Sequence, residues 1–177
     1  MMDRKAVWLE VGLQLLVDEG PKGLTVERLC QSTGKTKGSF YHHFAGVREF
    51  EQRLLEHWEQ AHTRDLIDLT SQGPPQTALR ELRRLALRLP FEREAAFRAW
   101  GARNLEAARV VARVDALRVA HLGRFHIHNG HPPDQAETMA WLEYSLFLGM
   151  AQLGDSLPKE QSRLARSLFE RKVIPHD

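Results

Sequence analysis

The stretch that decides the fold runs from residue 24 to residue 50 and reads LTVERLCQSTGKTKGSFYHHFAGVREF. Thr25 stands where its hydroxyl can cap a short helix that continues to about Thr33, and Gly34 then breaks that helix. Thr36 is placed to cap the helix that follows. The stretch therefore predicts a helix, a tight glycine turn and a second helix.

The second of these helices opens with the small, polar and basic residues Lys37-Gly38-Ser39, and Phe40 and Phe44 share one of its faces. A helix that reads the DNA major groove approaches with its N-terminal end, where backbone amides, Lys, Ser and Thr meet phosphates and base edges. Between Arg28 and Arg48 there are four cations and no acidic residue, although the net charge of the chain is only +2. On periodicity alone, the stretch fits a DNA-reading unit and an ordinary three-helix packing unit equally well.

The composition favours helices over strands along the whole chain. Among the 177 residues, Leu and Ala are far commoner than the β-branched Val and Ile, which strands prefer. Residues 3–19 have the periodicity of an amphipathic helix that stops at Gly20-Pro21. Further helices are expected near 47–69, 76–89, 91–101, 104–128, 133–153 and 158–172. The prediction is an all-α fold.

From Trp8 to Phe50 the chain resembles the DNA-binding domain of the tetracycline-repressor (TetR) family of bacterial transcription regulators. The residues that carry the resemblance are the stripe ending at Leu15-Leu16 and Gly20, Leu24-Thr25-Val26, Leu29-Cys30, Gly34, the run from Thr36 to Phe44, and Glu49-Phe50. The resemblance implies an N-terminal three-helix helix-turn-helix domain (residues 1–46) and a helical effector-binding and dimerisation domain (residues 47–177). It also implies a homodimer whose N-terminal domains occupy successive major grooves of an inverted-repeat operator in double-stranded DNA.

The resemblance, together with the chemistry of the side chains, selects the residues expected to bind DNA. Where the family usually has Val after the turn glycine, this chain has Lys35, which should face solvent or phosphate. Where the family usually has a phosphate-binding Lys, this chain has Val47, and we expect Arg48 to supply the contact instead. The predicted DNA-binding residues are Thr25, Lys35, Thr36, Lys37, Ser39, Tyr41, His42 and Arg48. Thr25 has the alternative role of a helix cap alone, and Lys37 that of a phosphate contact alone.

The second half of the chain offers candidates for an effector pocket. One stripe of the central helix carries Val110, Val114, Leu117, His121 and Phe125, and its arginines are expected mostly outside the pocket. Such a wall suits a largely apolar small molecule better than a highly charged metabolite. The predicted pocket residues are Trp58, Trp100, Leu117, His121, Phe125, Glu143, Tyr144 and Phe147. The alternatives are that the aromatics are ordinary core, that His121 is a satisfied core histidine and that Glu143 pairs across a dimer interface.

The last two predicted helices are candidates for a dimer interface. The helix near 133–153 is apolar on two faces, which requires two packing partners, and the next helix carries a leucine stripe. The pair could form half of an intersubunit four-helix bundle. The predicted interface residues are Leu142, Leu146, Met150, Leu164 and Leu168.

Several classes of function are disfavoured by what the sequence lacks. A single cysteine, Cys30, excludes an internal disulfide, and the histidines near 121–131 are poorly spaced for a metal, so neither a metal nor a cofactor is expected. There is no nucleophile motif or phosphate loop that would indicate an enzyme. No apolar run has the length of a membrane span and no signal peptide is evident, so we expect a cytoplasmic protein.

The leading hypothesis is a ligand-responsive DNA-binding regulator, a repressor released from a palindromic operator when an effector binds. The alternative is a helical ligand-binding or interaction protein of the same fold that lacks sequence-specific DNA binding. Val47 and the modest net charge make this alternative reasonable.

Overall fold

The computed structural model describes residues 4–173, and within that range it is helical and contains no strand. The α-helices, in chain order, are α1 (Arg4–Glu19), α2 (Val26–Thr33), α3 (Lys37–His43), α4 (Val47–Glu59), α5 (Asp65–Thr70), α6 (Pro75–Ala86), α7 (Phe91–Gly101), α8 (Leu105–His128), α9 (Pro133–Leu153) and α10 (Lys159–Val173). The predicted all-α fold is confirmed.

The helix predicted over residues 47–69 is not continuous. α4 ends at Glu59, and Gln60–Arg64 form a π-helical turn before α5 begins. A π turn holds more residues than an α turn, so it changes the direction in which the following side chains point. His62 and Thr63, which lie in this turn, are both buried.

The helices are grouped into two compact units. The first contains the residues through 61 together with 92–111, and the second contains 62–91 and the residues from 112 onward. The expected single boundary between residues 46 and 47 therefore does not coincide with these units. The reason is close packing of α4 on α1: a Cβ atom on Gly12 would lie 2.5 Å from Cζ of Phe50.

An aromatic cluster forms part of the core of the first unit and holds α3 in place. Trp8, Phe40, Phe44 and Phe50 are all fully buried or nearly so. The ring centroids of Trp8 and Phe40 are 5.5 Å apart, and those of Phe44 and Phe50 are 5.1 Å apart, both in edge-to-face geometry. Because one face of α3 is anchored in this cluster, its opposite face is left to solvent.

The helix caps and the glycine turn expected around α2 and α3 are present in the structure. The Thr25 hydroxyl accepts a hydrogen bond from the Arg28 amide and the Thr36 hydroxyl accepts one from the Ser39 amide, each at 3.2 Å. Gly34, which follows α2, has φ +66° and ends that helix in the left-handed conformation. These caps place the beginnings of both helices as predicted.

The second unit has a core built from α6, α8 and α9. Its buried cluster consists of Ala78, Leu79, Val119, Leu122, Phe125, Ala140 and Tyr144. In the described part of the chain, every helix is too short or too polar to cross a membrane.

Candidate nucleic-acid interface and internal cavity

Four of the eight residues predicted to bind DNA lie on α3. Lys37, Tyr41 and His42 are exposed, and Ser39 is half-buried. Tyr41 has 56% of its surface exposed, whereas the adjacent Phe40 is fully buried. The helix thus presents a basic, hydrogen-bonding surface on one side and is anchored by apolar contacts on the other.

The residues that flank α3 differ in their placement. Lys35 is exposed in the turn, as expected for a charged residue at that position. The hydroxyls of Thr25 and Thr36 are engaged as helix caps, which leaves their second lone pairs and their protons available to a further partner. Arg48 lies at the start of α4 with 87% of its side chain exposed.

Three cations of this region form ion pairs that sequence reasoning missed. Lys37 pairs with Glu27 on α2, and Arg28 pairs with Glu19 on α1. The hydrogen bond between Lys37 and Glu27 raises the pKa of the lysine and lowers that of the glutamate. The partners lie on different helices, so no helical spacing in the sequence indicates them.

Arg48, the third of these cations, makes a similar contact with α8. Its Nη2 atom donates to Oε1 of Glu106 at 2.9 Å, and this hydrogen bond raises the pKa of the arginine. Arg48 and Glu106 line a surface cleft together with Glu51. Burial, and then the charge of Glu106, raise the pKa of Glu51. Arg48 therefore already has a carboxylate partner within the chain.

The second unit contains a cavity of about 130 Å³. Of the eight predicted pocket residues, it is lined by four, which are His121, Glu143, Tyr144 and Phe147. Its apolar lining includes Leu66, Ile67, Leu82, Leu87, Leu122 and Leu146. The cavity thus lies among α5, α6, α8 and α9, with the π turn contributing His62 and Thr63.

The other four predicted pocket residues do not line this cavity. Trp58 is fully buried and stacks on Phe97 with ring centroids 4.4 Å apart, and the ring of Trp100 lies 6.1 Å from that of Phe97, all within the first unit. Phe125 is packed into the core cluster of the second unit, and Leu117 is half-buried away from the cavity. These four residues lie elsewhere because Trp58 and Trp100 belong to the aromatic core of the first unit and because α8 turns only part of its apolar stripe toward the cavity.

His121 is a core histidine whose hydrogen bonds are satisfied, and its ring lines the cavity. Nδ1 lies 2.7 Å from Nη2 of Arg124, and Nε2 lies 2.8 Å from the Thr70 hydroxyl. A guanidinium only donates, so Nδ1 accepts and the proton is on Nε2, which donates to Thr70. Burial, and then the charge of Arg124, lower the pKa of His121 to about 4, which keeps the imidazole neutral.

Glu143 pairs with side chains of its own chain. Arg83 donates to both carboxylate oxygens, at 2.6 and 2.9 Å, and His126 lies 3.1 Å from one of them. Burial raises the pKa of Glu143, but the hydrogen bonds from His126 and Arg83 outweigh burial and hold the pKa below its usual value. Arg83 was not predicted at the cavity, because nothing in the sequence brings α6 next to α9.

Arg118 is a second arginine on the cavity wall that sequence reasoning missed. Its guanidinium donates to the Thr63 hydroxyl at 3.0 Å, to the His62 carbonyl at 3.2 Å and to the Tyr144 hydroxyl at 3.2 Å. Its carbon atom Cζ lies 5.9 and 5.8 Å from the ring centroids of Tyr144 and Phe147. Tyr144 in turn donates to Asp115 at 2.6 Å. The expectation that arginines lie mostly outside the pocket misses this residue.

The residues predicted at a dimer interface divide into two groups. Leu146 and Met150 line the cavity inside the chain. The reason is that α9 directs this face toward α5 and α6. Leu142, Leu164 and Leu168 are exposed, and Trp141 and Leu153 on α9 are exposed as well. The Ser162 hydroxyl contacts the Met150 sulfur at 3.5 Å, so α10 lies against α9.

Within residues 4–173, no three His, Cys, Asp or Glu side chains are arranged to hold a metal ion. Cys30 is a half-buried free thiol.

The N-terminal region matches a known family model. Residues 9–50 match the family model described as "Bacterial regulatory proteins, tetR family". A curated relative, the "HTH-type transcriptional repressor KstR2" of Mycobacterium tuberculosis, is 32% identical over 71 residues, which are 38% of this chain and 36% of that protein. The sequence match thus spans about a third of the length of the curated relatives.

Solved structures resemble nearly the whole chain in fold. A transcriptional regulator from Rhodococcus sp. Rha1 has a TM-score of 0.75 at 20% identity, over 97% of this chain and 96% of that one. The regulatory protein TetR from Rhodobacter sphaeroides has a TM-score of 0.73 at 19% identity, over 94% and 97% of the two chains. At these identities the likeness establishes the fold alone.

Proposed function

We propose that the chain is a DNA-binding transcriptional regulator, because residues 9–50 match the model of the tetR family of bacterial regulatory proteins. The observation that carries the proposal is the solvent face of α3, where Lys37, Tyr41 and His42 stand exposed on a helix anchored by buried Phe40. A recognition helix needs this division, because one side must enter the major groove while the other holds the domain together.

The proposed contacts divide by their chemistry. Lys35, Lys37 and Arg48 meet phosphates as cations, and Lys37 and Ser39 stand at the helix end that reaches base edges. The hydroxyls of Thr25 and Thr36, together with the side chains of Tyr41 and His42, complete the contacts to the backbone. Lys37 and Arg48 must exchange a carboxylate partner for a phosphate when they bind.

The regulator works as a homodimer on an inverted repeat. This proposal is supported by the large apolar residues that α9 and α10 leave exposed, which are Trp141, Leu142, Leu153, Leu164 and Leu168. We assign them to one pairing face, because a monomer rarely leaves so much apolar surface uncovered. An isologous pairing of this face gives two copies of α3 related by a two-fold axis, which matches a palindromic operator.

The regulator is a repressor, as the curated relative is, and a small molecule in the cavity of the second unit releases it from DNA. Release requires only that the ligand bind more tightly to a conformation that does not bind DNA than to the conformation that does. No catalytic step is part of this function, and its place of action is the bacterial cytoplasm, where the chromosome lies.

The experiment that tests the proposal is selection of bound DNA from a random duplex pool, followed by a shift assay over a salt series. We expect recovery of an inverted repeat, bound with an affinity that falls linearly on a plot of log K against log salt concentration. A pool that yields no common motif would overturn the proposal of a DNA-binding regulator. It would favour the alternative, a ligand-binding or interaction protein of the same fold.

A further inference from the structure

The volume of the cavity in the second unit limits the size of its occupant. The cavity encloses about 130 Å³. A dry apolar cavity of about 150 Å³ holds one benzene molecule. The space among α5, α6, α8 and α9 is therefore close to the size of a single aromatic ring.

Two aromatic rings on the wall favour an aromatic occupant. Tyr144 and Phe147 lie nearly parallel, with ring planes 14° apart and centroids 6.1 Å apart, and both line the cavity. The remaining lining is largely aliphatic, including Leu66, Ile67 and Leu82. Aromatic pairs in edge-to-face or offset geometry are stabilised beyond the burial of their area.

The polar groups of the wall are engaged within the protein. His121 is neutral and hydrogen-bonded through both nitrogens, and Glu143 is paired with Arg83. Arg118 donates to three acceptors and lies over the rings of Tyr144 and Phe147. A charged ligand would lose its hydration and would also have to displace these contacts, so the wall selects against ionic groups.

We propose that the cavity is a binding site for a neutral molecule with a single aromatic ring. The inference rests on the proposed function only in making this molecule the effector, since the binding site itself is a property of the second unit. The ring would lie against Tyr144 and Phe147, and the aliphatic residues would enclose its edge.

The test compares probes of similar shape and different charge on the full chain without DNA. Toluene, benzoate and benzylammonium are added in a thermal unfolding experiment and in a titration that measures Kd. We expect toluene to raise Tm by about 3 °C or more at roughly tenfold its Kd, because it binds only the folded state. Benzoate and benzylammonium should bind at least tenfold more weakly than toluene.

Two variants change the cavity in opposite directions. Ala86→Phe places a ring inside it and should abolish the Tm shift by toluene, whereas the matched control Ala120→Phe, at an exposed position of α8, should retain it. Phe147→Ala enlarges the cavity and should let naphthalene bind, which the unmodified chain should reject. If Ala86→Phe fails to fold, the naphthalene result still decides the question.

Benzoate binding as tightly as toluene would overturn the inference, as would naphthalene binding to the unmodified chain in preference to toluene. Failure of the proposed function is detected separately, since it would appear as the absence of a selected DNA motif while toluene still raised Tm.

Discussion

At the scale of single residues, His121 shows how burial determines the protonation state of a side chain. The folded protein keeps this imidazole neutral down to about pH 4, whereas an unfolded chain protonates it near pH 6.5. Between these values the unfolded chain binds more protons than the folded protein. Stability is therefore fully present above this window and falls as the pH falls through it.

The first prediction concerns this pH dependence. We expect His121 to lower the free energy of unfolding by roughly 2 kcal/mol between pH 7 and pH 5. Urea unfolding at pH 7, 6 and 5 measures it, and His121→Gln should flatten the profile by that amount. His128→Gln, which replaces an exposed histidine of the same helix, is the control and should leave the profile steep. Equal slopes for the unmodified chain and His121→Gln would contradict the assignment.

The second prediction concerns Lys37. If its ammonium group binds a phosphate, Lys37→Ala should weaken operator binding roughly tenfold, since hydrogen bonds to charged groups are the stronger ones. The salt slope should fall by about 0.9 for each phosphate that is no longer neutralised, and so by about two in a dimer that carries the change twice. Lys159→Ala, which removes an exposed lysine from α10, should change neither quantity. An unaltered slope in Lys37→Ala would rule out the phosphate contact.

The third prediction uses the ion pair between Arg48 and Glu106. If Arg48 supplies the phosphate contact that Val47 cannot make, Arg48→Ala should weaken DNA binding several-fold. Glu106→Gln frees the guanidinium and removes a negative charge, so it should strengthen binding by about the same factor. Shift assays at one salt concentration measure both. A pair that only stabilises the fold would instead make both variants bind more weakly.

At the scale of helices, local patterns could be predicted and contacts between helices could not. Thr25, Thr36 and Gly34 act on neighbouring amides and on their own backbone, so their roles follow from the order of residues. The π turn at Gln60–Arg64 has no such local signature, and periodicity indicated one unbroken helix there. The pairing of Lys37 with Glu27 depends on how two helices cross, which periodicity does not contain.

The fourth prediction tests the close approach of α1 and α4. A Cβ atom at Gly12 would meet the ring of Phe50, which is itself fully buried among other aromatic rings, so Gly12→Ala should destabilise the protein by about 1–3 kcal/mol. Gly123, inside α8, has open space around the corresponding position, so Gly123→Ala should stabilise by up to about 1 kcal/mol. Chemical denaturation measures both changes, and two effects of the same sign would show that the helices are not in close contact at Gly12.

At the scale of the whole molecule, the sequence predicts an apolar pocket but identifies only some of the residues that line the cavity. A stripe on α8 identifies a buried face, yet Leu117 and Phe125 share that stripe with His121 and still lie outside the cavity. The rotation of a helix by a few tens of degrees decides which of these residues faces inward, and partners such as Arg83 and Arg118 come from helices whose packing the sequence does not specify. The same limit explains why Leu146 and Met150 were assigned to an interface.

The last prediction concerns that interface. The exposed leucines of α9 and α10 form a face whose covering by a second copy would bury them, so we expect a homodimer in light scattering after size-exclusion chromatography. Leu164→Arg places a charge in the face, and burying an unpaired charge is costly enough to shift the protein toward monomers. Leu105→Arg makes the same change at a leucine that is 66% exposed on α8 and does not belong to the face, so it should leave the dimer intact. Because α3 can occupy two successive grooves only in a dimer, Leu164→Arg should also lose the inverted repeat while each monomer keeps its salt-dependent binding to DNA. An unmodified chain that elutes as a monomer at micromolar concentration would refute this arrangement.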